Sequence, residues 1–285
     1  MEIYDCFLFN DELDHLDIRF NELSGYVDYF VLAESSQTFT GKKKPLYFQE
    51  NYRQFKRKFR RKVIYIEIPW QESLSPWHRQ FFQRSFIQHA LTGKAQPQDF
   101  IMLSDADEIA KASKLTEVNF PKKGEVSILM QRNYKYFFNC RILRDREPYI
   151  KKGHKFYLDG TKIVRYNEIS TQSIGDLQNL RVLTGKFSRL KKKQIVDAGW
   201  HFSYFGDVDR IVNKMQSCSA VSTVGAHHIE KHYGRKVLEK RLLKGEGLFG
   251  KTENDFTIIH EPFGDHLPQY VVKNRKKFEK YVFKV

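Results

Sequence analysis

The sequence predicts an α/β domain on a mostly parallel sheet, and three features carry that expectation. Strand-length apolar runs alternate with stretches of helical periodicity through the first hundred residues. The runs are too apolar to leave one face in water, as in a sheet covered by helices. Turn and capping residues such as Asn10-Asp11 and Pro69 close them.

Taken in order, Ile3–Phe9 predicts a first strand, and Leu13, Leu16, Phe20 and Leu23 recur as one helix face. Residues Tyr26–Ala33 (YVDYFVLA) predict a second strand. Phe48, Tyr52, Phe55 and Phe59 make the stripe of a second helix, with the basic residues of RQFKRKFRRK on its other faces. Val63–Ile68 predicts a third strand, Trp77, Phe81, Phe82 and Phe86 a third helix, and Phe100–Leu103 a fourth strand. Beyond about residue 125 the pattern loosens. Glu125–Met130 and Tyr134–Ile142 have strand character; Ile211–Cys218, His228–Leu243 and Leu267–Tyr281 have helical character. With 285 residues, no repeat and no visible linker, one domain over 1–285 is expected.

Composition bounds the function. Hydrophobic residues make up 41%, enough for a core, and 49 basic against 34 acidic side chains leave a net charge of +15. That surface attracts anions. No helix-turn-helix, RNP or zinc-finger pattern accompanies it, so nucleic acid is not expected as a partner. Cys6, Cys140 and Cys218 are far apart and odd in number, as for reduced thiols. The N-terminus lacks the basic start of a signal peptide, no apolar run reaches the length of a membrane span, and no Asn-x-Ser/Thr occurs. A cytoplasmic protein is expected, with any membrane contact peripheral and made through the basic C-terminal helix.

The strongest local motif is FIMLSDADEI, residues 100–109. An apolar strand runs into Asp105 and Asp107, which in extended chain point the same way from the edge where α/β sheets bind ligands. Two carboxylates there suit a hard divalent cation such as Mn²⁺ or Mg²⁺ bridging two phosphates. The plainer alternative is an acidic turn capping a following helix. In AGWHFSYFGD, residues 198–207, aromatic residues surround His201, either a third metal ligand or a hydrogen-bonded core histidine. The segment GEGLFGKT, 245–252, matches a phosphate-binding loop letter for letter but lacks the strand before and the helix after. His228 and His232 are four apart and read as solvated helix surface.

The blocks DCFLFNDELDHLDIRFNEL, VDYFVLAESSQTFTGKKKPLYF, FQRSF, IMLSDADEI and DAGWHFSYFGD together resemble glycosyltransferase family seventeen, in order over about 205 residues. The resemblance implies a GT-A type fold and inverting transfer from a UDP-sugar, UDP-N-acetylglucosamine, with a divalent metal. The acceptor would be a hydroxyl of an oligosaccharide, glycoprotein or glycolipid. Residues 1–110 would form the nucleotide-sugar half and 111–285 the acceptor half. Asp105, Asp107 and His201 would hold the metal. Asn10, Glu34, Lys44, Arg84, Asp105 and Trp200 would bind the donor. Glu34, Glu108 and Asp197 are the candidates for the base that deprotonates the acceptor. The stretch SCSAVST departs from the family, which keeps a Ser-His pair there. A metal-dependent nuclease or nucleotidyltransferase, and a non-catalytic basic module, are the competing readings.

Overall fold

The computed structural model describes residues 1–283 apart from 117–118, 145–156, 171–172, 174, 207–209, 212–213, 215–235, 237–239, 241–243 and 245–255. The helices expected at 211–218 and 228–243, the GEGLFGKT loop, His228, His232 and Cys218 fall wholly or largely outside these residues.

The N-terminal half alternates as expected. Strand β1 (Ile3–Phe9) leads to α1 (Leu13–Leu23), β2 (Tyr29–Ser35), α2 (Tyr47–Phe59), β3 (Val63–Ile68), α3 (Pro76–Leu91) and β4 (Phe100–Asp105). These four strands are parallel in the order β4-β1-β2-β3. Both faces are buried, and the two-residue alternation of side chains sorts them. Cys6, Leu8, Val31, Ala33, Ile101 and Leu103 pack toward α3 with Ile87 and Leu91. Phe7, Phe9, Phe30, Leu32 and Met102 pack toward α1 and α2, against Leu16, Phe20, Phe48, Phe55 and Phe59.

Beyond β4 the sheet is mixed. β5 (Glu108–Ala110), β6 (Glu125–Lys135), β7 (Cys140–Arg144), β8 (Tyr157–Arg165), β9 (Lys191–Ile195), β10 (Gly199–Ser203) and β11 (Phe256–His260) complete it. β8 joins β4 to β6, antiparallel to both. The parallel character expected for most of the sheet is unbroken in its first half and mixed beyond it, where β6 runs parallel to β9 and β10 and antiparallel to β7 and β8. Helix α4 (Asp176–Val182) packs on α3, and α5 (Gln269–Lys273) packs on α1. The short α6 (Arg275–Phe278) follows α5, so the single helix expected over 267–281 is two.

Two details of the reading change. The expected stripe of α3 is only part of its inner face: Phe82 and Phe86 pack against the core, Trp77 is exposed, and Arg79, Gln83, Arg84 and Gln88 are buried. This helix turns polar groups inward because it borders the cleft described below. No helix follows the acidic motif. The chain turns at Ala106–Asp107 into β5, which pairs antiparallel with β10, so His201 stands opposite Glu108. Gly199 permits that pairing, because a Cβ there would lie 2.3 Å from the Ile109 carbonyl oxygen. Among the described residues no helix is long and apolar enough to cross a membrane. Cys6 and Cys140 are free and buried.

Candidate active site at the end of β4

A cleft opens where β1, β2 and β4 end. Phe9, Asn10, Glu12, Gln37, Phe39, Lys44, Gln80, Gln83, Asp105, Asp107 and Lys214 line it. Its floor is the acidic turn after β4, and Arg19 holds that turn from below. Arg19 is fully buried on α1 and paired in two hydrogen bonds with the equally buried Asp5 of β1. It also donates to Ser104 Oγ at 2.6 Å, the Asp105 carbonyl at 3.1 Å and the Glu108 carbonyl at 2.8 Å. All five guanidinium N–H groups are used.

The turn sends the two aspartates to different partners, because it breaks the two-residue alternation that would have aimed them together. Asp105 receives Arg84 Nη2 at 2.6 Å on one oxygen and Arg181 Nη2 at 3.0 Å on the other. Arg181 also donates to Glu108 Oε1 at 2.5 Å. Burial opposes ionisation of Asp105, but Arg181 and Arg84 outweigh it and hold the carboxyl far below the usual range. Asp107 receives Lys214 Nζ at 2.8 Å on Oδ2, and its Oδ1 lies 3.7 Å from His201 Nε2. Burial again opposes ionisation, and Lys214 and then His201 keep the carboxyl low. Lys214 also reaches Glu12 Oε1 at 3.4 Å, so one ammonium bridges two carboxylates.

The site calls divide on this geometry. Asp105, Asp107, Asn10 and Lys44 line the cleft, and His201 and Arg84 reach its aspartates. Lys44 donates to the Asn10 carbonyl at 3.0 Å, and burial lowers its pKa. Glu34, Glu108, Asp197 and Trp200 do not line it. Glu34 is fully buried, accepting from the Phe48 amide at 3.0 Å and the Tyr65 hydroxyl at 3.3 Å, and it ties β2 to the start of α2. Glu108 is buried beneath the turn on Arg181 and the Asp105 amide. Asp197 binds Arg132 and Lys111; burial raises its pKa, but those hydrogen bonds prevail and lower it. Trp200 donates to the His266 carbonyl at 2.7 Å and lines a separate hollow with Lys111 and Tyr270.

Glu12, Arg19, Gln37, Arg181 and Lys214 escaped the sequence reading. Arg19 stands on α1 and Glu12 just before it, in a segment from which the sequence reading took only the apolar stripe. Arg181 and Lys214 come from the half where periodicity gives no guide.

His15, also on α1, sits under the site. It is buried edge-on to Phe205, and neither ring nitrogen has a hydrogen-bond partner among the described residues. Burial, followed by the Lys214 charge, pushes its pKa down to about 4. The folded value lies below the unfolded one of about 6.5. The stability it contributes is therefore present above that pH and lost as pH falls toward 4. His15→Phe should lose less stability than wild type between pH 7 and pH 4, by roughly 3 kcal/mol. Urea unfolding at the two pH values measures this; parallel losses would refute it.

Comparison with known proteins places the chain in a family. The chain is 34% identical over 107 residues to beta-1,4-mannosyl-glycoprotein 4-beta-N-acetylglucosaminyltransferase from Homo sapiens, and likewise to that from Rattus norvegicus. The match covers 35% of this chain and 20% of each relative, so it spans about a fifth of their length. Among solved structures, mannosyltransferase PcManGT from Pyrobaculum calidifontis, in complex with GDP-Man and Mn2+, aligns with a TM-score of 0.38 and 8% identity. It covers 88% of this chain and 78% of that one. The inositol-1-phosphate CTP transferase from T. maritima aligns at 0.37 and 11%, covering 70% and 87%. These structural likenesses are too remote to bear on activity. The family model for glycosyltransferase family 17 matches residues 1–158, more than half of the sequence, and the chain belongs to that family.

Proposed function

We propose that this glycosyltransferase moves N-acetylglucosamine, with inversion, from UDP-N-acetylglucosamine to a glycan hydroxyl, with a divalent metal at the end of β4. One observation carries the reading: in a family 17 chain, the cleft at the end of the parallel strands gathers Asp105, Asp107, Glu12, Lys44 and Lys214, with Arg84 and Arg181 on Asp105. Carboxylates facing cations suit a ligand whose diphosphate brings its own negative charge and a bridging metal.

The residues fit a metal in part. Asp107 Oδ1 and His201 Nε2 offer an oxygen and a nitrogen 3.7 Å apart, and His201 Nδ1 is buried without a hydrogen-bond partner among the described residues. Among the described residues no three metal-ligating side chains converge, so phosphate and water oxygens would complete the coordination. Asp107 and His201 would hold the ion, and Asp105 would join by exchanging an arginine. The ion would supply positive charge to the departing UDP. The chain's own cations act on the same charge: Arg84 and Arg181 are held at the cleft floor by Asp105, and Lys44 stands on its wall. Asn10 and Lys44 line the donor side.

Hydrolysis of UDP-N-acetylglucosamine without acceptor tests the donor and separates this reading from the nuclease. Slow, manganese-dependent UDP release is expected, with polynucleotide left intact; the opposite result would replace the proposal. His201→Ala should shift the manganese dependence of that reaction upward by roughly tenfold or more, with partial recovery in excess metal. A folded variant with an unshifted titration would leave His201 as a core residue.

A further inference from the structure

The end of α2 and the turn into β3 carry the densest positive charge among the described residues. Arg53, Lys56, Arg57, Lys58, Arg60 and Arg61 are all exposed and line one shallow hollow with Lys62 and Ser24. Lys58 bonds the Asn21 side-chain oxygen, a neutral partner. No carboxylate pairs with the other five among the described residues. Attraction to the negative end of the helix accounts for the last-turn residues Lys56, Arg57 and Lys58. It does not account for Arg53 before them or Arg60 and Arg61 beyond. Of the C-terminal cations, Lys277 and Lys280 are spent on Asp17 and Asp14 of α1, and Lys273, Arg275 and Lys276 make a sparser exposed group.

A second observation lies beside the charge. Tyr26, in the turn between α1 and β2, is 50% exposed. Lys62 Nζ donates to the Ser24 and Val27 carbonyls, each at 2.7 Å, and so pins that turn against the basic segment. Tyr26 and Lys58 share the rim of a neighbouring hollow with Lys111 and Lys273. A field of unpaired cations beside an exposed tyrosine is what an anionic bilayer surface recognises: the cations meet headgroup charges, and the amphipathic ring sits at the interface.

We propose that this face, formed by the end of α2 and the Tyr26 turn, docks the enzyme on an anionic lipid bilayer. It lies at the edge where the parallel strands begin, and the cleft lies where they end. The seven residues of β1 separate the two by about 23 Å. Docking therefore leaves the cleft open to solvent.

The test is flotation of the full chain with vesicles of equal parts phosphatidylcholine and phosphatidylserine, against vesicles of phosphatidylcholine alone. Wild type should bind the anionic vesicles, not the neutral ones, and should be released by high salt. The triple variant Arg57→Glu, Arg60→Glu, Arg61→Glu should bind on the order of 100-fold more weakly or worse. It should keep the wild-type melting temperature and donor hydrolysis, since these side chains are exposed and far from the cleft. Lys273→Glu with Lys276→Glu should matter less. Wild type that ignores anionic vesicles, or binds neutral ones equally, overturns the proposal, as does a triple variant that binds like wild type. Binding of inorganic phosphate or an RNA oligonucleotide without vesicle binding would reassign the face to that anion.

Discussion

Asp107→Ala should reduce transfer from UDP-N-acetylglucosamine by roughly 10³-fold or more while the protein stays folded. Asp107 presents one oxygen to Lys214 and the other toward His201, so it is the side chain of the turn that faces both the ammonium of the cleft and a nitrogen donor. Its removal takes away the anionic half of the donor pair. Lys214 keeps Glu12 as a partner, so no charge is left stranded and the cost in stability should be small. Asp107→Asn keeps the shape and removes the charge, and it should lose nearly as much activity. Asp105→Ala should lose less, because Asp105 acts through Arg84 and Arg181, and those guanidiniums can still meet a diphosphate. Initial rates across a manganese series, with circular dichroism as a folding control, measure all three. An Asp107→Ala enzyme with rates in the wild-type range would remove the site from the end of β4.

How much of this was legible follows from what each residue does. Strands β1 to β4 were legible because both of their faces are buried and the apolar runs say so; Phe7 and Cys6 serve opposite layers of one strand. The acidic motif was legible because two aspartates directly after such a strand have few structural uses. Its geometry was not. The turn at Ala106–Asp107 and the pairing of β5 with β10 depend on a segment ninety residues further along. The same holds for the cations. Nothing near Arg181 or Lys214 marks them as site residues, because only the folded chain brings α4 and the segment after β10 to the cleft. Glu34 is a related case: an acid at the end of a buried strand reads as catalytic from the sequence, and in the fold this one accepts from the amide at the start of α2 and lies 3.6 Å from the Lys44 ammonium. The C-terminal basic run is expected to make any membrane contact; two of its lysines, Lys277 and Lys280, are paired with Asp17 and Asp14, whereas no carboxylate pairs with Arg57, Arg60 or Arg61 on the α2 side among the described residues.

Arg19→Met should be the most destabilising single change at the site, costing roughly 3–5 kcal/mol. Arg19 and Asp5 are both fully shielded from water, so loss of the guanidinium leaves an uncompensated carboxylate between α1 and the sheet. It also frees the Ser104 hydroxyl and the Asp105 and Glu108 carbonyls, which are the backbone of the acidic turn, and it strips the cation from the Phe7 ring. Lysine cannot substitute, because three donors on a flexible stem cannot replace five in a planar fork. Arg19→Lys should therefore recover only part of the loss. Asp5→Ala in the Arg19→Met background should cost less than Asp5→Ala alone, since the charge it removes is already unpaired; that coupling distinguishes a buried pair from two independent residues. Urea unfolding of the four proteins supplies the cycle. Activity should follow the turn rather than the pair. Arg19→Met, assayed at a temperature where it is folded, should still lose donor hydrolysis, because its aspartates are no longer held at the cleft floor. An Arg19→Met protein within 1 kcal/mol of wild type would mean that the β5–β10 pairing alone fixes the turn.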